Sequence, residues 1–180
     1  GTHADRGAYF TRGSSKDEYA AYTEDGQEYV RNMDRLLQKF ETAKDCVPEA
    51  KIKPAASPTP YGVMFFGTTA SPAYEAVEML EDEGIALDTC RIRAFPFTAE
   101  LENFIRDHER IFVIEQNRDG QMRRLLLNET AVDAKSKLVP VLEYDGLPVT
   151  ARKIAAIMRS YIKEASVASL ADRRQEEPAL

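Results

Sequence analysis

The chain has 180 residues, 43% of them hydrophobic, and a formal charge of −6 from 24 basic and 30 acidic side chains. That length supports one ordinary core with an arm or a partial second unit, and it falls short of a two-domain enzyme. Basic residues are interspersed with acids, which excludes the clustered Lys and Arg that nucleic acid or an anionic membrane surface requires.

Residues 1–26 are rich in Tyr, Gly, Asp and Arg, with no helical or strand period, and read as an arm that cannot bury a core of its own. Residues 1–6 hold neither an initiator Met nor a hydrophobic signal core, which is consistent with a fragment whose beginning lies upstream and equally with Met removal or tag cleavage. From 27 to 46, Val30, Met33, Leu37 and Phe40 recur at three- and four-residue steps, the spacing of one face of an amphipathic helix. That face needs a partner, either its own domain or a dimer mate. Pro48, Pro54, Pro58 and Pro60, set among Ala, Ser and Lys, mark residues 47–60 as an extended interdomain linker.

From residue 61 to 164, strand and helix signals alternate four times. Val63, Met64, Phe65 and Phe66 form a short apolar run between Gly62 and Gly67; Ser71 is placed to cap the next helix, Pro72 suits its first turn, and Ala73, Ala76, Val77 and Leu80 make its buried face. Residues 87–93 read as a second strand, and Thr98 caps a helix that buries Leu101, Phe104 and Ile105. Residues 111–114 are the clearest central strand. Asp119 is positioned to cap a third helix, and residues 138–142 make a fourth strand whose Pro140 implies an edge or a bulge. Thr150 opens the last helix, carrying Ile154, Ile157, Met158, Tyr161 and Ile162, while residues 165–180 read as a polar, disordered tail. The pattern specifies an α/β fold: a three-layer α/β/α arrangement with a mainly parallel sheet of four to five strands and right-handed crossovers.

Cys46 and Cys90 stand far apart with no CxxC spacing, so neither a disulfide framework nor a cysteine-ligated cluster arises within the chain, and a reducing, cytoplasmic setting is expected. No apolar run approaches the roughly 20 residues that span a bilayer. In open parallel sheets, ligands collect at the carboxy ends of the strands. That rim gathers Gly67, Thr68 and Thr69; Arg93 to Pro96; Glu115, Gln116, Asn117, Arg118 and Asp119, followed by Gln121; and Tyr144 with Asp145. The run from 115 to 119 is open to three readings: a solvated turn with an Asp cap, a subunit contact, or a small-molecule site. Residues 67–71 have the outline of a phosphate loop, but no GxGxxG or GxxxxGK[ST] is present, so a capped turn is the simpler reading. Arg91 and Arg93 alternate on one strand face and are expected to pair with acids across a domain boundary or to take an anion. His108, between Asp107 and Glu109, reads as exposed, and neither it nor His3 has metal-site spacing. No nucleophile is supplied.

Several ordered words are more specific than these patterns. Residues 7–14 (GAYFTRGS), Glu18 and Tyr19, residues 22–25 (YTED), 35–43 (RLLQKFETA), 91–97 (RIRAFPF), 115–121 (EQNRDGQ) and 144–150 (YDGLPVT) resemble, in register, the last part of 2-oxoacid:ferredoxin oxidoreductase alpha subunits, nearest to the 2-oxoglutarate type. The resemblance implies a last domain similar to the carboxy-terminal domain of transketolases, which organises subunit packing. It implies a parent complex that decarboxylates a 2-oxoacid, passes the acyl group to coenzyme A and sends electrons through a [4Fe-4S] cluster to ferredoxin. Thiamine diphosphate, Mg and the cluster are then expected in that complex and no cofactor in this segment. The implied partners are the remainder of the alpha subunit, the beta subunit, ferredoxin and coenzyme A, with dimerisation open. The family's YPITP motif is absent from this sequence, and no catalytic residue is carried over.

Two other readings stand beside this one. A free-standing doubly wound module would bind a nucleotide or another anion at the rim. A domain of a transketolase or a lipoyl-linked 2-oxoacid dehydrogenase would share the fold and would not need ferredoxin.

Overall fold

A computed structural model describes residues 3, 5 and 15–176, with side chains to residue 165. The chain divides into two compact units, residues 1–46 and 47–180. The arm words at 7–14 lie outside the described residues.

In the first unit, Lys16 bridges Tyr22, and Asp17 holds the intervening turn by accepting from the backbone N–H groups of Tyr19 and Ala21. Helix α1 (Gly26–Lys44) starts where the Asp25 carboxylate accepts from the N–H of Gln27, satisfying one of the donors a helix start leaves open. Although its apolar residues recur at helical spacing, α1 has no buried residue, and Leu37 is 68% exposed.

The second unit is a five-stranded sheet in the order β1 (Lys51–Lys53), β3 (Asp88–Ile92), β2 (Tyr61–Phe66), β4 (Arg110–Glu115), β5 (Leu138–Leu142). All neighbours are parallel except β1 with β3, and Met64 sits between Cys90 and Val113 in register. The buried runs lie in the middle: β2 and β4 have strands on both sides and a helical layer on each face, so every residue from 63 to 65 and 111 to 115 is buried. Helices α2 (Ala70–Asp82) and α5 (Ala151–Glu176) cover one face, where Ala73, Ala76, Val77 and Leu80 meet Ile154, Ala155, Met158 and Ile162 over Val63, Phe65, Phe112 and Ile114. On the other face, α3 (Ala99–Asp107) and α4 (Gln121–Glu129) place Leu101, Phe104, Ile105 and Leu126 over Met64, Cys90, Ile111 and Val113. Gly62 allows this closeness: a Cβ there would lie 2.7 Å from the Phe104 ring.

The structure departs from the sequence reading at four places. Lys51–Lys53 lies inside the stretch read as a linker and adds an antiparallel edge strand; its three side chains are exposed, and lysines on an edge discourage further strand addition. Ser71 does not cap α2, because Gly67–Thr69 forms a 3-10 turn that starts the helix at Ala70 and puts Pro72 in its first turn. Strand β3 ends at Ile92, so Arg93 leaves the ladder. The α5 backbone stays helical to Glu176, where the expected tail had been placed; its Ala, Leu, Arg, Gln and Glu are strong helix formers, and that propensity outweighs low hydrophobicity. Pro140 sits on β5, which is the sheet's other edge and needs no N–H on its outer side.

Candidate functional site: the carboxy-terminal rim of the sheet

The chain leaves β2 for β3 on one side and then passes to β4 on the other. The loops after the adjacent strands β2 and β4 part toward opposite faces, and open α/β sheets leave a crevice at such a point. A cleft of about 500 Å³ lies there, lined by Gly67, Thr68, Gln116, Asn117 and Gln121 over Phe66, Met122 and Leu125. Beside it a second cleft of about 580 Å³ runs between Thr68, Pro72 and the β5–α5 loop with Glu143, Tyr144, Leu147 and Val149. Gln116 stands between the two: its Nε2 donates to Thr69 Oγ1 at 3.2 Å, and its Oε1 accepts from the N–H of Val149 at 3.2 Å.

Beneath this, Glu115 is fully buried and its charge is spent locally. Oε2 accepts from Met122 N–H at 2.7 Å and Asn117 Nδ2 at 2.9 Å, and Oε1 accepts from Arg123 N–H at 2.9 Å. A carboxylate at the positive end of α4, satisfying its first N–H groups, is the arrangement that favours burial of the charge. Asp119 therefore does not cap this helix. The cap position is Gly120 at φ 60, a conformation that suits glycine, and the capping oxygens come from the end of the preceding strand. Asn117 is also occupied, its Oδ1 accepting from the N–H groups of Asp119 and Gln121. Arg118 is 74% exposed and paired with Asp119.

The β5–α5 loop is braced in a similar way while presenting the opposite character to solvent. Lys153 bonds both Glu143 and Asp145, and Asp145 also accepts from Leu147 N–H at 2.9 Å. The Lys153 ammonium is the main reason the Asp145 carboxyl is held below the usual carboxylate range, and the same bond raises Lys153. Thr150 Oγ1 accepts from Lys153 N–H where α5 begins. On this pinned loop Tyr144 is 62% and Leu147 69% exposed.

The structure thus brings Gly67, Thr68, Gln116, Asn117 and Gln121 together, sets Glu115 under them, and turns Arg118 and Asp119 outward. Arg91 and Arg93 line neither cleft; Arg93 donates to the carbonyl oxygen of Glu49. His108 is buried, contrary to the exposed position read from its acidic neighbours, because its ring packs on Phe104 and bonds Asp88. Sequence reading placed Thr69 on the rim but missed Met122 and Leu125 as cleft walls and Leu147 as an exposed apolar side chain. The available signal was a turn word, residues 144–149, too apolar for a solvated loop.

Chemically, the rim offers amides and a hydroxyl. Cys90 is buried, and burial pushes its thiol up to about 12, which removes it as a nucleophile. Among the described residues no group of three His, Cys, Asp or Glu side chains is placed to hold a metal ion. No helix among them is long and apolar enough to cross a membrane.

No family model matches the chain. Over 155 residues it is 28% identical to subunit alpha of 2-oxoacid:ferredoxin oxidoreductase 2 from Aeropyrum pernix, a match that takes in 84% of this chain. Its sequence relative is a 2-oxoacid:ferredoxin oxidoreductase alpha subunit. The chain spans 24% of that relative's length. The fold likewise matches a 2-oxoglutarate:ferredoxin oxidoreductase from Magnetococcus marinus, a structure with 2-oxoglutarate, coenzyme A and succinyl-CoA bound. That match has a TM-score of 0.72 and 19% identity, and covers 85% of this chain and 26% of that one. The resemblance to these alpha subunits therefore holds in sequence, and the α/β architecture recurs in an oxidoreductase of the same kind.

Proposed function

We propose that this chain is the carboxy-terminal assembly domain of a 2-oxoacid:ferredoxin oxidoreductase alpha subunit, of the 2-oxoglutarate type. The observation that carries the reading is the rim itself: Glu115, Gln116, Asn117 and Asp145 are engaged in internal bonds, while Tyr144 and Leu147 stand exposed on the loop that Asp145 and Lys153 brace. A surface that spends its polar groups on its own loops and offers pinned aromatic and aliphatic side chains suits a protein contact better than a polar ligand. The unburied apolar stripe of α1 supports the same reading.

In the parent complex, the 2-oxoacid loses carbon dioxide, its acyl group becomes a thioester of coenzyme A, and two electrons pass to ferredoxin. The residues doing that work lie outside this chain, on the remainder of the alpha subunit and on a beta subunit carrying thiamine diphosphate, Mg and a [4Fe-4S] cluster. This chain contributes the surfaces that hold those parts together.

The second reading, an anion-binding module, rests on the cleft of about 500 Å³ at the crevice. Its lining is uncharged, and the nearby Arg118 and Lys153 are already paired. Calorimetry on the whole chain separates the two. We expect no saturable heat with thiamine diphosphate and Mg, coenzyme A, nucleotides or inorganic phosphate. Stoichiometric thiamine diphosphate binding would overturn the assembly reading, and nucleotide or phosphate binding abolished by Arg118→Ala would establish the module.

A further inference from the structure

Strand β3 divides its side chains between two faces. Cys90 and Ile92 pack toward α3, and Asp88 lies on the same side, bonded to His108 at the end of that helix. The two-residue period of a strand turns Thr89 and Arg91 to the opposite face. Residues paired across a ladder point the same way. Lys51, in register with Arg91, and Lys53, in register with Thr89, therefore share that face with Arg91. Cβ atoms directly opposite one another lie about 5 Å apart, and the step from Lys51 to Lys53 is about 7 Å along the strand. Just past the end of β3, Arg93 donates to the carbonyl oxygen of Glu49 and adds a fourth cation at the same edge.

Lys51 and Lys53 are exposed and Arg91 is half-buried, and none of the three forms an ion pair with a described residue. Acids are plentiful in a chain of charge −6, yet those nearby are used elsewhere or left apart. Asp88 is engaged on the other face, and Glu83, just past the end of α2, bonds Arg159. The exposed Glu49, two residues before Lys51, pairs with none of them. Like charges set directly opposite each other destabilise a ladder. Edge lysines do deter strand addition, but that role needs no arginine opposite Lys51. A row of cations on an open strand face also gives a small anion nothing to enclose it, and none of the three lines the clefts at the rim. Three or four charges within a net acidic chain fall short of a nucleic-acid footprint.

We propose that the strip formed by Lys51, Lys53 and Arg91 receives an acidic segment of another protein chain. That this chain belongs to the parent oxidoreductase rests on the assembly reading above. The carboxylates of such a segment, spread along its length, match cations spread along a strand, and their arrival relieves the repulsion between Lys51 and Arg91. The strip lies at the β1 edge, on the far side of the sheet order from the β5–α5 loop that carries Tyr144 and Leu147. It is therefore a second contact, ionic where the first is apolar.

The test uses the tagged whole chain, free and in the complex it recovers. Acetylation of Lys51 and Lys53 should fall severalfold in the complex. Carbodiimide, which joins an amine to a carboxyl group in contact with it, should link one of them to an Asp or Glu of another chain. The double variant Lys51→Gln with Lys53→Gln should keep its unfolding midpoint, because a like-charge contact is relieved, and should bind its partner about fivefold more weakly, the scale of losing exposed ion pairs. Equal acetylation in the free and recovered chain would overturn the proposal. So would undiminished partner binding by the double variant; if that variant also self-associates, edge protection alone explains the lysines. If the wild-type chain recovers no other chain, the assembly reading fails separately, and NMR with a polyglutamate peptide and with inorganic diphosphate decides the strip. Saturable shifts of the Lys51, Lys53 and Arg91 amides with the peptide, lost in the double variant, would sustain it. No shift, or equal shifts with diphosphate, would overturn it.

Discussion

Helices α1 and α5 carry the same kind of apolar period and meet opposite fates. Ile154, Ala155, Met158 and Ile162 of α5 are buried over the sheet, whereas Val30, Met33, Leu37 and Phe40 of α1 remain exposed. The period specifies a helix with one apolar face, because it reflects backbone geometry. What covers that face depends on atoms elsewhere. In the second unit the covering surface is part of the same chain; for α1 the proposed covering surface belongs to the longer subunit of which such a chain spans a quarter in its relative.

The largest expected effect tests the covered side of this comparison. Ile154→Ala leaves a cavity among Phe112, Met158 and their neighbours and is expected to cost about 2–5 kcal/mol in denaturant unfolding. Leu37→Ala should change the same measurement by no more than about 0.5 kcal/mol, as for an exposed site. A cost near that of Ile154→Ala would show that α1 is covered in the free chain, and the contrast would fail.

A similar contrast exists within the rim. Glu115 is buried and bonded three times, whereas Tyr144 and Leu147 are exposed on a loop whose braces are open to solvent. Glu115→Gln keeps the shape but replaces an acceptor oxygen with a donor facing backbone N–H groups, and is expected to cost about 1–3 kcal/mol. Replacing Tyr144 and Leu147 with Ser should leave the free chain's stability within about 0.5 kcal/mol and weaken recovery of the oxidoreductase subunits with it. The smallest effect concerns pH. Asp145 is held low by Lys153, so its contribution is present above the usual carboxylate range and is lost as pH falls through its depressed value. Lys153→Ala should flatten that acid limb of the unfolding curve slightly, since both groups are open to solvent.

Much of the architecture was legible because it follows from local periods: the strands at 63–66 and 111–114 are continuous apolar runs, and helices α2 and α3 repeat Ala73, Ala76, Val77 and Leu80 or Leu101, Phe104 and Ile105. Lys51–Lys53 was not legible, since three residues with two lysines look like linker until a neighbouring strand supplies hydrogen-bond partners. The capping role of Glu115 was hidden for a related reason. Its oxygens reach Met122 and Arg123, beyond the spacing at which a cap is sought, and a strand end with a left-handed Gly120 makes that reach possible. His108 looked exposed because its chain neighbours are acidic, while its burial comes from Phe104, Gly62 and Asp88, which only the folded sheet brings to it.

The most direct test of the assembly reading is to recover the native complex on a tagged copy of this chain and assay coenzyme A-dependent reduction of a low-potential dye with a panel of 2-oxoacids. The account predicts recovery of such activity, with 2-oxoglutarate preferred over pyruvate and over branched or aryl 2-oxoacids. Recovery of the chain alone, or with partners that lack this activity, would contradict it and move attention to the cleft beside Gln116.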